Sequence, residues 1–157
     1  MKRKISKRGD ITISITIILL ASFVVYQYFP VGLDNIIDTV VEEGIRYNMD
    51  DKMLDEIITN CDYGNPRMSL KCLNDLFNKN YRYSPQPKTN SINYTLNEFA
   101  DCDNAVSFYC SALRNMGYNC RGVTMNTVDS RHAVAILSWE DEYCLIDQTT
   151  FICYQLG

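Results

Sequence analysis

Three side chains fall in an order that suits nucleophilic catalysis: a thiol at Cys102, an imidazole at His132 and a carboxyl at Asp147. Cys102 opens an amphipathic stretch, Asp101-Cys102-Asp103-Asn104-Ala105. His132, the sole histidine of the chain, stands near the start of the apolar run Arg131-His132-Ala133-Val134-Ala135-Ile136-Leu137. Asp147 closes the next such run, Tyr143-Cys144-Leu145-Ile146-Asp147. A thiol alone is a weak nucleophile at neutral pH. A helix N-terminus and a nearby imidazolium lower its pKa, and a carboxylate on the imidazole fixes the tautomer. Together the three would support attack of sulfur on a carbonyl carbon, with the imidazole moving the proton. Asp101 and Asp103 act against this, because flanking carboxylates raise a thiol's pKa, unless Asp101 is consumed as the helix cap. Taken singly, each residue has a plainer reading: a structural thiol, a strand-edge surface histidine and a turn acid.

The elements that must position these groups can be read from periodicity. Asp101 to Met116 carries Ala105, Tyr109, Ala112 and Met116 at helical spacing, widened by Val106, Phe108 and Leu113, and Gly117 supplies a left-handed C-cap. This helix is apolar enough to be the central one. Upstream, Leu33 to Tyr47 and Asp51 to Thr59 have helical stripes, the second capped by Asp50. Asn65-Pro66 reads as an N-cap with proline at the first helical position of a helix running to about Asn80. Tyr81 to Leu96, with Pro85 and Pro87, reads as a long loop of the kind that often walls a binding site.

Downstream the period changes. Arg121 to Met125, His132 to Trp139 and Glu142 to Asp147 read as strands, with Phe151 to Tyr154 a short fourth. Helices followed by an antiparallel sheet of three to four strands make an α+β domain. His132 precedes Glu140 of the Glu140-Asp141 turn by eight residues, and Asp147 follows Asp141 by six. A simple hairpin, with strands about 4.8 Å apart, brings both to the same end of the sheet. The backbone N–H of Cys102 would serve as one oxyanion donor; Asn93, Tyr94 and Asn104 are the candidates for a second.

These residues resemble the transglutaminase-like cysteine hydrolase superfamily. The likeness rests on Leu96-Asn97-Glu98-Phe99-Ala100-Asp101-Cys102-Asp103-Asn104-Ala105, Leu113-Arg114-Asn115-Met116-Gly117-Tyr118-Asn119-Cys120-Arg121, Arg131-His132-Ala133-Val134 and Leu145-Ile146-Asp147-Gln148-Thr149. An aromatic lead-in over Phe77 to Pro85 adds to it. The resemblance implies a papain-like core, in which a helix carrying the nucleophile packs on the small sheet. It also implies Cys102 as nucleophile, His132 as general base and acid, and Asp147 as orienting carboxylate. Ala100 stands where glycine is usual, which would tighten the loop. Gln148 replaces a usual proline, with an effect expected only on strand-end rigidity.

The N-terminus adds a second theme. Residues 1–10 carry five basic side chains against Asp10, and Ile11 to Phe29 is apolar, about the length needed to cross a bilayer. With Tyr26, Tyr28 and Phe29 at the exit, this reads as an uncleaved signal anchor rather than a cleaved signal peptide. The expected division is a cytoplasmic tail (1–10), a transmembrane anchor (11–29), N-terminal helices (30–64) and a transglutaminase-like domain (65–157). The chain would be a single-pass membrane protein with its catalytic domain extracytoplasmic. The whole chain carries a net charge of −4, so residues 11–157 carry −8, and nucleic acid is not an expected partner.

There are seven cysteines. With Cys102 free, the other six could form up to three disulfides in an oxidising compartment, with 15 possible connectivities, or remain small buried hydrophobes. Asn93-Tyr94-Thr95 is a glycosylation sequon consistent with export. No cofactor is called for, and without a Cys-x-x-Cys pair no metal site is expected. The expected partner is a protein or peptide substrate, with cell-wall peptide among the candidates. The function read from all this is amide hydrolysis by a membrane-anchored cysteine enzyme, as peptidase, isopeptidase or deamidase. The competing reading is a non-catalytic, disulfide-stapled domain that binds peptide or cell-wall material, with Cys102 in a disulfide. A third places the domain in the cytosol with every thiol reduced.

Overall fold

The computed structural model describes residues 33–126 and 131–156. Contacts divide the chain into Met1–Ile36 and Ile37–Gly157, and the site belongs to the second unit. Among the described residues five helices precede four strands: α1 (Leu33–Met49), α2 (Lys52–Cys61), α3 (Pro66–Asn80), α4 (Ile92–Asn97), α5 (Cys102–Asn115), β1 (Asn119–Asn126), β2 (Arg131–Trp139), β3 (Glu142–Asp147) and β4 (Thr150–Gln155). The strands form one antiparallel sheet in sequence order, so each pairs with the next. The α+β class expected from the pattern is what the structure shows.

The helix starts follow from their capping residues. Asp51, rather than Asp50, caps α2 by accepting from the Met53 N–H. Asn65 caps α3 through the Met68 N–H, with Pro66 at the first helical position. The segment expected to be one long loop contains α4. Its cap is Ser91, and Ile92 and Leu96 bury its apolar side. Thr95 of the sequon is also buried there, so the folded domain does not present that hydroxyl.

Helix α5 is the centre of the fold. Asn104 through Leu113 are all buried, so the helix is enclosed on every side rather than along one stripe. It packs on β1 and β2 and against α2, α3 and α4. Two glycines allow neighbours to come close. A Cβ on Gly44 of α1 would lie 2.7 Å from Ser107 Oγ. A Cβ on Gly122 of β1 would lie 2.6 Å from Val41 Cγ1 and 2.8 Å from Val106 Cγ1. Helix, strand and helix meet there without room for a methyl. Gly122→Ala is therefore expected to cost ~1–3 kcal/mol through overpacking, read as a lower denaturant midpoint at unchanged slope.

Six cysteines pair as Cys61–Cys72, Cys110–Cys120 and Cys144–Cys153. Cys102 is the free one. The first bridge joins α2 to α3, the second ties α5 to β1, and the third links β3 to β4.

The expectation of a single-pass membrane protein is corrected. The segment assigned to the anchor, residues 11–29, lies outside the described residues. Among the described residues no helix is long and apolar enough to cross a membrane.

Candidate active site

The loop entering α5 is built around a capping box. The Asp101 carboxylate accepts from the Asn104 N–H at 3.0 Å, and the Asn104 side chain accepts from the Asp101 N–H at 3.1 Å. Cys102 is thereby the first helical residue, with its backbone N–H among those a helix leaves without a partner of its own. The Asn104 amide also donates to the Thr89 carbonyl (3.1 Å) and to Asn90 Oδ1 (2.7 Å). Buried and engaged in this way, Asn104 holds the preceding segment against the helix and is not available as an oxyanion donor. Asn93 and Tyr94 sit on α4, away from the cleft at Cys102. Ala100, where glycine would be usual, is buried and bridges in parallel to Tyr83, a conformation that asks for no glycine.

His132 and Asp147 meet across the sheet. Ala135 pairs with Ile146 across the sheet, which puts Asp147 opposite Val134 and His132 one step further along the same face. Diagonal neighbours of this kind are within reach of long side chains. His132 Nε2 lies 2.7 Å from Asp147 Oδ1. With Nε2 so engaged, Nδ1 is the ring nitrogen left for other work.

Cys102, His132 and Ala133 line one cleft of about 280 Å³, together with Asp101, Asp103, Tyr83, Pro85, Thr124 and Arg131. A larger hollow of about 500 Å³ lies among α2, α3 and α4, but neither Cys102 nor His132 borders it. Size alone would choose the hollow; chemistry chooses the cleft. Within the cleft the Ala133 backbone N–H favours the charged form of the Cys102 thiol. The thiol's side-chain partner is Asp103, whose Oδ1 lies 3.7 Å from Sγ, and not His132.

The electrostatics differ from expectation. The thiol was expected to have a lowered pKa. Burial instead pushes Cys102 up, and the carboxylates of Asp103 and Asp101 push it further against the opposing pull of the Ala133 N–H. Burial, and then Asp101, also raise Asp103, with Cys102 and His132 pulling it down. The sign for stability follows. A carboxyl raised on folding is penalised in its charged form at pH above its folded pKa, and the penalty fades as pH falls through it. Asp103→Asn is therefore expected to raise the melting temperature at neutral pH and not in acid, below the ordinary carboxylate range. The same change should speed alkylation of Cys102 severalfold at neutral pH and move the inflection of its rate–pH profile downward.

The turn after Asp147 is held by two long-range partners. Gln148 has φ 46°, a left-handed backbone that proline cannot adopt. Its side-chain oxygen accepts from the Tyr81 hydroxyl at 2.8 Å, and its carbonyl lies 2.8 Å from the Tyr109 hydroxyl. The residue does more than set strand-end rigidity. Sequence patterns gave no sign of these partners, because Tyr81 and Tyr109 lie 67 and 39 residues away along the chain.

Comparison with known proteins adds one result. A family model of the transglutaminase-like superfamily core matches residues 52–149, more than half of the chain and the stretch that holds Cys102, His132 and Asp147. No curated protein and no solved structure matches.

Proposed function

The chain belongs to the transglutaminase-like superfamily, and from that premise we propose that it is a cysteine enzyme acting on amide bonds of a protein or peptide. Cys102 is the nucleophile, His132 the proton carrier and Asp147 the group that orients His132. One observation carries the reading: the only unpaired cysteine begins α5 in a cleft shared with a histidine whose ring is bonded to a carboxylate. The three disulfides fit an oxidising compartment.

In the reaction the Cys102 proton passes to His132 as sulfur bonds to the amide carbon. The oxyanion forms near the Cys102 backbone N–H. Collapse of the intermediate breaks the C–N bond, and His132 returns the proton to the leaving amine. Water or a second amine then takes the acyl group from the thioester, giving hydrolysis or transfer. Burial and the neighbouring carboxylates favour the neutral thiol, which suits proton transfer to His132 during attack.

The raised thiol and its Asp103 partner favour a second reading, a peptide-binding domain without turnover. Acid quenching after incubation with a library of glutamine- and lysine-containing peptides separates the two. The enzyme reading expects an acyl adduct on Cys102, released by hydroxylamine and found by mass spectrometry, with ammonia or amine set free. Peptide retention with neither adduct nor release across the library would leave the binding reading in its place.

A further inference from the structure

Asp147 is more than half exposed, at the end of a strand, where water competes for its carboxylate. Its bond to His132 needs a backbone that does not wander. The turn that follows is held from within the fold. The Tyr109 hydroxyl lies 2.8 Å from the Gln148 carbonyl and 3.0 Å from Asn74 Oδ1. A phenol has one proton to give, and the shorter contact is the one to Gln148. The Tyr81 hydroxyl donates to Gln148 Oε1 at 2.8 Å, and the Asn78 amide donates to the Thr149 carbonyl at 2.9 Å. The two tyrosine contacts fall on Gln148, whose left-handed conformation persists only where its surroundings determine it, and the Asn78 contact holds the next residue.

We infer that Tyr109 and Tyr81 are positioning residues that, through Gln148, hold the Asp147 carboxylate on His132 Nε2. Tyr109 is fully buried, its ring tilted against Phe77 and edge-on to Phe108, so its hydroxyl has a fixed place. Burial also pushes its phenol far above the ordinary tyrosine range, which keeps the proton available for donation at any working pH. It lies seven residues after Cys102 on α5, two turns or about 10 Å along the axis. One rigid helix thus carries the sulfur at its start and, further along, the hydroxyl that places the carboxylate. The inference rests on the catalytic reading of Cys102, His132 and Asp147, and its test keeps the two apart.

Tyr109→Phe removes the hydroxyl and keeps the ring. In the full chain, ¹⁵N spectra of the single histidine, followed across a pH series, report which nitrogen bears the proton in the neutral ring. The unmodified protein should show one tautomer, with hydrogen on Nε2. Tyr109→Phe should show a mixture, with the rate of Cys102 alkylation by iodoacetamide falling about tenfold. Tyr81→Phe, at a half-buried position, should shift both readouts in the same direction and decides the matter where Tyr109→Phe does not fold. Mixed tautomers in the unmodified protein, or a single Nε2–H tautomer retained in a folded variant, would overturn the inference. A tautomer change with unaltered alkylation supports the restraint by the tyrosines and removes instead the coupling of His132 to Cys102.

Discussion

Cys102→Ala is expected to abolish the proposed amide turnover, by at least on the order of 10⁴-fold, and to leave the melting temperature nearly unchanged. The size follows from the loss of the covalent route, since the remaining site can only bind and polarise its substrate. The indifference of the fold follows from the position. Cys102 is half-buried at a helix start, and the cap belongs to Asp101 and Asn104, so alanine removes the long contact of the sulfur to Asp103 and leaves the cap intact. Substitutions of this kind fall within about 0.5 kcal/mol. Cys102→Ser should be almost as inactive, because a hydroxyl holds its proton far more tightly than a thiol. The decisive measurement is release of ammonia or amine from a responsive peptide, beside a thermal melt of each variant. Retained turnover in the alanine form would end the cysteine mechanism altogether, since the other six sulfurs are tied to one another.

Reduction is expected to unfold the domain. The bridges close loops with sequence separations of 11, 10 and 9 residues. Loop-entropy arithmetic gives each about 2.7 kcal/mol and the three together about 8 kcal/mol. That is comparable with the whole stability of an ordinary domain, ~5–15 kcal/mol. Melting in strong reductant should therefore fall by about 20 °C or more, with loss of the near-ultraviolet signal of packed aromatics. Alkylation before reduction should mark one thiol, and after reduction and denaturation all seven. A melt unmoved in reductant, with all seven thiols shown to be free, would overturn this.

Much of the scaffold was legible because short-range chemistry determines it. Asp101 caps α5 and Gly117 ends it at φ 86°, both local effects of a side chain or its absence. Asn65-Pro66 begins α3 for the same kind of reason, and the β2–β3 hairpin turns at Glu140-Asp141. The meeting of His132 with Asp147 also followed from counting residues on either side of that turn. What escaped depends on long-range contact. Helix α4 is only six residues long and forms because Ile92 and Leu96 find the core, not because its polar sequence favours a helix. The disulfide partners are set by which elements pack together, so spacing left 15 choices open. The thiol's electrostatics turned on burial and on the direction of Asp103, and neither can be read from the neighbouring letters. The membrane expectation rested on composition in a segment outside the described residues.

The three bridges share a property with a consequence for biogenesis. Each joins cysteines close in sequence, so a chain emerging into an oxidising compartment can close every bond soon after its second partner appears. The hazard during that maturation is the odd sulfur, Cys102, which lies eight residues before Cys110 and could scramble the set by exchange. Once α5 has formed, those eight residues become a rod about 12 Å long, and the two sulfurs are held too far apart to trade. The helix that begins at Cys102 thus keeps that thiol apart from Cys110.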